Sequence, residues 1–335
     1  MEQKYNKPPR PPYWKLLLAF AIIYIVWGST YLAIRVGVRE IPPLLMAALR
    51  FLVAGIVLYG WTRLRGTPAP TRREWMASSL LASMVFLCDY GCLFWAEQRV
   101  PSGIAAVILA TIPVFITISE IILLKTQKLT VRLAVALLIG IGGVAVLMNH
   151  SASFGEAPIN RTGVAALLFS SVSWSLATVL TQKVHLPESK AMSSAAQMTS
   201  GGIQLLLVAA IFGEFSGFHA ARVSANAWFA LLYLIVAGSI VGYTAFLWLL
   251  HYESPTRVGT YAYVNPVVAV ILGYFLGGES IGARTAVGTG LVLISVIAIN
   301  VTRGKGKQAA GETADSGASA VHALQAAERS STTSF

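Results

Sequence analysis

The chain has 335 residues, 56% of them hydrophobic and 12% charged, with a mean hydropathy of +0.67. Soluble domains carry roughly 25% charged residues, so this composition excludes an ordinary globular protein and implies a polytopic membrane protein. A net charge of +11 would suit nucleic acid, but the basic residues sit in loops between apolar runs, without the aromatic and basic groove that such binding needs.

Residues 1–13 carry Lys4, Lys7 and Arg10 among four prolines and read as an extended cytoplasmic tail. No small-residue cleavage site follows the first apolar run, so that run is expected to be a retained span. Apolar segments then recur at 16–36, 43–63, 76–97, 102–124, 131–149, 163–184, 191–212, 228–250, 255–277 and 284–302. Each approximates the ~20 residues that cross ~30 Å of hydrocarbon as a helix. The runs are continuous, not alternating, which argues against a β-barrel. With the N-terminus inside, 18 of the 25 lysines and arginines fall in inner segments and 6 in outer ones, Arg50 lying within a span. That asymmetry predicts cytoplasmic N- and C-termini. Residues 304–335, rich in Gly, Ala, Ser and Thr, read as a disordered cytoplasmic tail.

The chain repeats itself. Tyr90, Trp95 and Pro113 fall at the same spacings as Tyr243, Trp248 and Pro266. Trp27 and Trp174 occupy matching places in the first and sixth spans, and Gln197 stands where the first half has Arg50. Five spans per repeat is an odd number, so the second copy must enter the membrane upside down. Inverted repeats with interrupted helices are the outline of a carrier, with its site near the midplane.

Pro113 and Pro266 lie at the middle of the fourth and ninth spans. Each lacks an N–H, so the carbonyls of Leu109 and Ala262 lose their helical partner. Those oxygens need a new donor or a wet cavity, with Thr111 and Asn265 near enough to help. A simple kink is the alternative.

Arg50 and Asp89 are the costliest residues in the chain. An intramembrane charge costs at least ~2.5–3.5 kcal/mol on insertion scales, so both are expected to face the interior. Both fall ~4 Å to the outer side of the midplane at 1.5 Å per residue. They read either as a substrate or proton site or as a structural ion pair. A proton on Asp89 would couple export to proton entry, and a pairing with Arg50 would oppose it. Trp27 and Trp174 lie near the midplane, unlike belt tryptophans at span ends. They can line a cavity or merely pack. Trp95 and Trp248 fit the belt. Tyr243, Tyr261 and Tyr263 add hydroxyls beside the ninth span. Arg35, Glu97 and Glu279 sit at outer span ends and need no special role. Cys88 and Cys92 share one helix face, where packing explains them better than a metal.

Together these residues resemble the drug/metabolite transporter superfamily, in its EamA-type branch of bacterial inner-membrane exporters. The resemblance rests on Trp27-Gly28-Ser29-Thr30-Tyr31, Arg50-Phe51 and Val100-Pro101-Ser102-Gly103-Ile104-Ala105-Ala106. In the second half it rests on Tyr261-Ala262-Tyr263-Val264-Asn265-Pro266-Val267 and Gly277-Gly278-Glu279. It covers residues 15–302 and looks close to the YedA-like exporters. It implies an all-α polytopic fold of ten transmembrane helices in two inverted five-helix EamA repeats, which the spans place at 14–150 and 151–303. It also implies efflux of small metabolites, amino acids or drugs across the inner membrane. One departure is Gln127 in the first copy, where the second keeps Gly278-Glu279.

These readings converge on a secondary carrier that exports a small organic solute, with protons as the coupling ion. The substrate site is expected among Trp27, Arg50, Asp89, Trp174, Gln197, Tyr243, Tyr263 and Asn265. Partners are the small-molecule substrate and the lipid bilayer, and the chain is a monomer or a homodimer. No cofactor and no metal is expected. The absence of a nucleotide-binding P-loop argues against ATP as the direct energy source. An uncoupled facilitator or exchanger of the same fold is the nearest alternative. An intramembrane enzyme is disfavoured, because His150, His185, His219, His251 and His322 are scattered over loops and tail.

Overall fold

In hydrocarbon a backbone N–H or C=O finds no water, so a long apolar run satisfies itself as a helix. The computed structural model describes residues 11–124, 160–253 and 258–278, with shorter stretches between 131 and 146 and between 282 and 295. Among them are seven helices long and apolar enough to cross a membrane. They are α1 (Tyr13–Gly37), α2 (Pro43–Leu64), α3 (Arg72–Glu97), α4 (Ser102–Leu123), α5 (Arg161–Leu180), α6 (Lys190–Ile211) and α7 (Ala225–Tyr252). A shorter α8 (Tyr261–Phe275) follows. These account for eight of the ten expected spans. The fifth and tenth, 131–149 and 284–302, fall largely outside the described residues, as do most of the N-terminal tail and the whole C-terminal tail.

Local sequence sets where helices begin. Pro42 precedes Pro43 at the start of α2, where a missing N–H costs nothing. Thr71 and Glu74 form a reciprocal capping box at α3. Asn160, Ser189 and Ser224 cap α5, α6 and α7 with side-chain oxygens.

Two helices depart from α geometry at matching places. α3 is π-helical over Ser83–Tyr90, and α7 over Leu234–Tyr243. Both segments end at the equivalent tyrosine, Tyr90 or Tyr243. A π-turn widens the helix by one residue and is frequent at functional sites.

The prolines behave differently from one another. α4 breaks at Ala110 and Thr111, and Pro113 sits in the first turn of the resumed helix. Thr111 Oγ1 donates to the carbonyl of Ile108 (2.7 Å), not to that of Leu109, and Ser175 Oγ donates to the carbonyl of Ile112 (3.0 Å). α8, by contrast, runs unbroken through Pro266, so the expected helix break is absent there. The chain turns earlier, at Gly259 and Thr260. Proline's fixed φ suits a helix, and only one backbone bond is lost.

The halves interlock. α1 packs on α7 and α8 of the second half, and α5 packs on α3 and α4 of the first. The most extensive contact joins α2 to α6. A β-carbon on Gly55 would fall 2.5 Å from the Thr199 nitrogen, and one on Gly202 would fall 2.5 Å from the Leu52 nitrogen. Leu52 and Gly55 follow Arg50 by the same intervals as Thr199 and Gly202 follow Gln197. The contacts are therefore reciprocal, and the two helices run antiparallel. Glycines allow this backbone approach, as at many interfaces between membrane helices.

The end opposite the start of α1 is tied by polar contacts between halves. Glu214 accepts from the backbone N–H of Leu45 (2.7 Å) at the start of α2. Glu40 accepts from the Ser224 backbone N–H (2.6 Å) and hydroxyl (2.7 Å). Arg35 also does more than sit at a span end. It donates to the carbonyls of Glu97 and Val100, both at 2.7 Å, and so holds α1 to the turn after α3.

Candidate functional site

Trp27 from α1 and its counterpart Trp174 from α5 meet edge to face, with ring centroids 5.8 Å apart. Both are buried. Two equivalent residues in contact mark the seam where the halves join. Phe246 of α7 tilts against both, at 5.2 Å from Trp27 and 5.3 Å from Trp174. Tyr261 meets Trp27 edge to face at 5.2 Å, and Tyr90 meets Trp174 at 6.1 Å. Offset and edge-to-face pairs of this kind favour a fixed arrangement beyond simple burial.

Beside these rings lies a narrow cavity. Only about 30 Å3 of it can hold the centres of water molecules, room for about two waters. Trp27, Asp89, Trp174 and Asn265 line it, so four of the eight anticipated substrate residues converge there. Thr30, Tyr31, Tyr90 and Tyr261 line it as well.

Asp89 is carried by the π-helical part of α3, one residue before Tyr90. Its Oδ1 accepts a hydrogen bond from Ser170 of α5. Its other oxygen has no hydrogen-bond partner among the described residues. The anticipated ion pair with Arg50 is not formed. Arg50 is completely buried, but its Nε donates to Ser239 Oγ of α7 (2.8 Å). Its guanidinium packs over the rings of Phe51 (4.6 Å) and Tyr90 (5.0 Å). It thus stands behind Tyr90 and does not line the cavity. Ring faces attract a cation by their quadrupole, which offsets part of its desolvation. Arg50 Nη1 has no acceptor among the described residues.

Gln197, the counterpart of Arg50, accepts a hydrogen bond from the Tyr243 hydroxyl at 2.8 Å. Both lie outside the cavity wall. The Asn265 amide, oriented so that its nitrogen meets acceptors, donates to the carbonyls of Tyr24 (2.9 Å) and Tyr261 (3.2 Å). It ties α8 to α1 one residue before Pro266. The Tyr263 side chain lies outside what the structure describes.

The halves differ in one respect that decides the chemistry. The position equivalent to Asp89 is Gly242, also one residue before the equivalent tyrosine. The Trp27 indole occupies the space a side chain there would need, and its Nε1 donates to the Gly238 carbonyl (3.1 Å). The Trp174 Nε1 is buried beside the Tyr261 hydroxyl without a well-formed hydrogen bond among the described residues. The cavity therefore offers a carboxylate from the first half, with no acidic counterpart at the equivalent place in the second.

Several contributors escaped the residue-by-residue reading. Tyr90 appeared only as a spacing match, although it follows Asp89 and repeats as Tyr243. Tyr31 stood in the Trp-Gly-Ser-Thr-Tyr run without an assigned role. Ser170 and Ser239 carried no signal, because a serine in a membrane helix usually bonds its own backbone.

The family model for EamA-like transporters matches this chain twice, over residues 14–149 and 161–301. An uncharacterized inner membrane transporter of Escherichia coli (strain K12), YedA, is 38% identical over 285 residues, 84% of this chain and 90% of that protein. An uncharacterized transporter of Bacillus subtilis (strain 168), YvbV, is 28% identical over 303 residues, covering 88% and 93% of the two chains. The protein PecM of Dickeya dadantii (strain 3937) is 26% identical over 278 residues, covering 82% and 88%. A solved crystal structure superposes with a TM-score of 0.60 over 87% of this chain and 98% of its own, at 19% identity, which is a likeness of fold alone. The family, YedA and YvbV are described as transporters and not as enzymes. With two matched repeats and membrane helices that meet at a shared cavity, the chain belongs to the EamA-like transporter family.

Proposed function

We propose that the protein is a secondary active transporter that exports small organic metabolites, amino acids or drugs across the bacterial inner membrane, coupled to protons. The observation that carries this reading is the placement of Asp89, the one charged side chain among the described residues lining the cavity at the seam of the halves. A carboxylate at such a seam can take a proton from one side and release it to the other.

The reciprocal contacts of α2 and α6 support two inverted repeats, because equivalent residues meet with opposite chain direction. Such a pair can open alternately to either side around a fixed site. On this reading ten helices span the membrane, with both termini cytoplasmic and the substrate site at the seam. The Glu40–Ser224 and Glu214–Leu45 ties then close the periplasmic end. A cavity with room for about two waters is too small for an organic solute, so the halves must part to load it.

The test is flux in proteoliposomes of the full chain, with labelled amino acids, cationic dyes and small metabolites, with and without an imposed proton gradient. Saturable accumulation driven by the gradient, and lost in Asp89→Asn, is the expected result. Saturable exchange that ignores the gradient would keep the carrier and remove the proton. Flux that rises without saturation would instead mean a channel.

A further inference from the structure

We propose that the cavity at the seam selects organic cations, protonated amines or quaternary ammonium compounds, over acids of similar size. The inference rests on the transport reading above and names the substrate class of that same site.

Among the described residues the wall holds one carboxyl group and no Lys, Arg or His. Asp89 lines the cavity with one carboxylate oxygen held by Ser170 and the other without a partner among the described residues. The positive charge nearest by, Arg50, is not among the residues that line the cavity. It is anchored to Ser239 and covered by the Tyr90 and Phe51 rings. An acid entering here would meet Asp89 and find no cation in the wall. An ammonium group would meet Asp89 and five aromatic side chains, those of Trp27, Tyr31, Tyr90, Trp174 and Tyr261. Trp27 lies edge to face against both Trp174 and Tyr261, and Tyr90 lies edge to face against Trp174. Several aromatic rings at such angles around one space, with a carboxylate beside them, form a cage suited to a cation.

A second observation points to the rest of the ligand. The Trp174 indole is 4% exposed, and its N–H, which lies near the Tyr261 hydroxyl, makes no well-formed hydrogen bond among the described residues. Its counterpart Trp27 spends the same N–H on the Gly238 carbonyl. A buried donor so loosely paired can exchange that hydroxyl for an acceptor on the ligand. The ligand is therefore a cation that carries an oxygen or similar acceptor within reach of Trp174. Gly242 stands where a second carboxylate would otherwise fall, so the cage holds one cationic centre and not two.

The experiment uses a series with the same two-carbon arm that differs in charge: phenethylamine, 2-phenylethanol and 3-phenylpropionate. Binding to the full chain in detergent is read from tryptophan fluorescence near neutral pH. The amine is expected to bind at least about tenfold tighter than the alcohol, and the acid not to compete. Asp89→Asn should bring amine and alcohol to equal affinity. Trp174→Phe should weaken 3-(aminomethyl)phenol-like amines that carry an acceptor more than phenethylamine itself. Equal binding across the series, preference for the acid, no saturable binding of the amine, or an amine preference that survives Asp89→Asn would each overturn the proposal. The charge order of the unaltered protein needs no variant, so a misfolded mutant does not decide the matter. Saturable amine binding with no flux of any compound would remove the transport reading and leave the cation cage. Flux confined to acids or neutral solutes would do the reverse.

Discussion

The indole of Trp27 lies so close to Gly242 that a β-carbon on that glycine would fall 2.5 Å from Nε1. This contact makes the cavity one-sided, because the same position in the first half holds Asp89. Gly242→Ala must therefore displace Trp27 or bend α7 within its π-helical segment. Overpacking of this kind costs about 1–3 kcal/mol. The check is a thermal melt in detergent, together with loss of substrate binding. A melt unchanged from the parent would show that the indole has room to move.

Arg50 is held by Ser239 across the seam, and Ser239→Ala removes that acceptor from a fully buried guanidinium. The loss should be about 1.5–3 kcal/mol, as for a hydrogen bond to a charged group. Arg50→Lys should not rescue function, since an ammonium cannot reproduce the planar contact with the Phe51 and Tyr90 rings. Unfolding in a mild denaturing detergent measures the first effect. Flux measures the second.

Gly202 and Gly60 offer a contrast within the same membrane. A side chain at Gly202 meets the Leu52 backbone, whereas one at Gly60 meets nothing within 4 Å. Gly202→Val should push α6 from α2 and abolish correctly folded protein. Gly60→Ala should leave it intact or stabilise it by up to about 1 kcal/mol, because alanine is the better helix former. Monodisperse elution of detergent-solubilised protein checks both.

The Glu40 carboxylate is held below its ordinary value of 4.5 by the Ser224 backbone N–H, and next by the Ser224 hydroxyl. A carboxylate with a lowered folded value contributes stability that is fully present above its ordinary value. That contribution is lost as pH falls through the lower, folded value. The loop tie should therefore be intact at neutral pH and fail only in acid below about 4.5. Glu40→Gln should remove this acid dependence. Proteolysis of the loop around Ser224 as a function of pH reads the effect.

The interplay of sequence and fold is clearest in the prolines. Both prolines are visible as mid-span breakers, and in α4 the helix does break beside Pro113. In α8 it runs on through Pro266. No local rule separates the two cases, since each proline loses the same backbone bond. The packing of Asn265 on α1, and the earlier turn at Gly259 and Thr260, belong to contacts far apart in the chain.

Arg50 and Asp89 carry the same lesson. Their cost in lipid identifies them as interior residues whatever their partners. Each might have satisfied the other, yet each takes a serine from a different helix. A serine hydroxyl is small and common in membrane helices, so nothing in its local sequence announces the role.

The sequence by itself determined that the chain is helical, that it lies in a membrane and that its halves repeat. Those follow from the shortage of charge, the length of the apolar runs and the matched Tyr, Trp and Pro spacings, all of which act locally. Only the tertiary structure decided which of the costly residues face the cavity. A helix presents its residues all round, and the face that meets the seam is chosen by the partner helix. Here that choice sets Asp89 toward the cavity, turns Arg50 behind Tyr90, and fills the mirror position with Trp27 against Gly242.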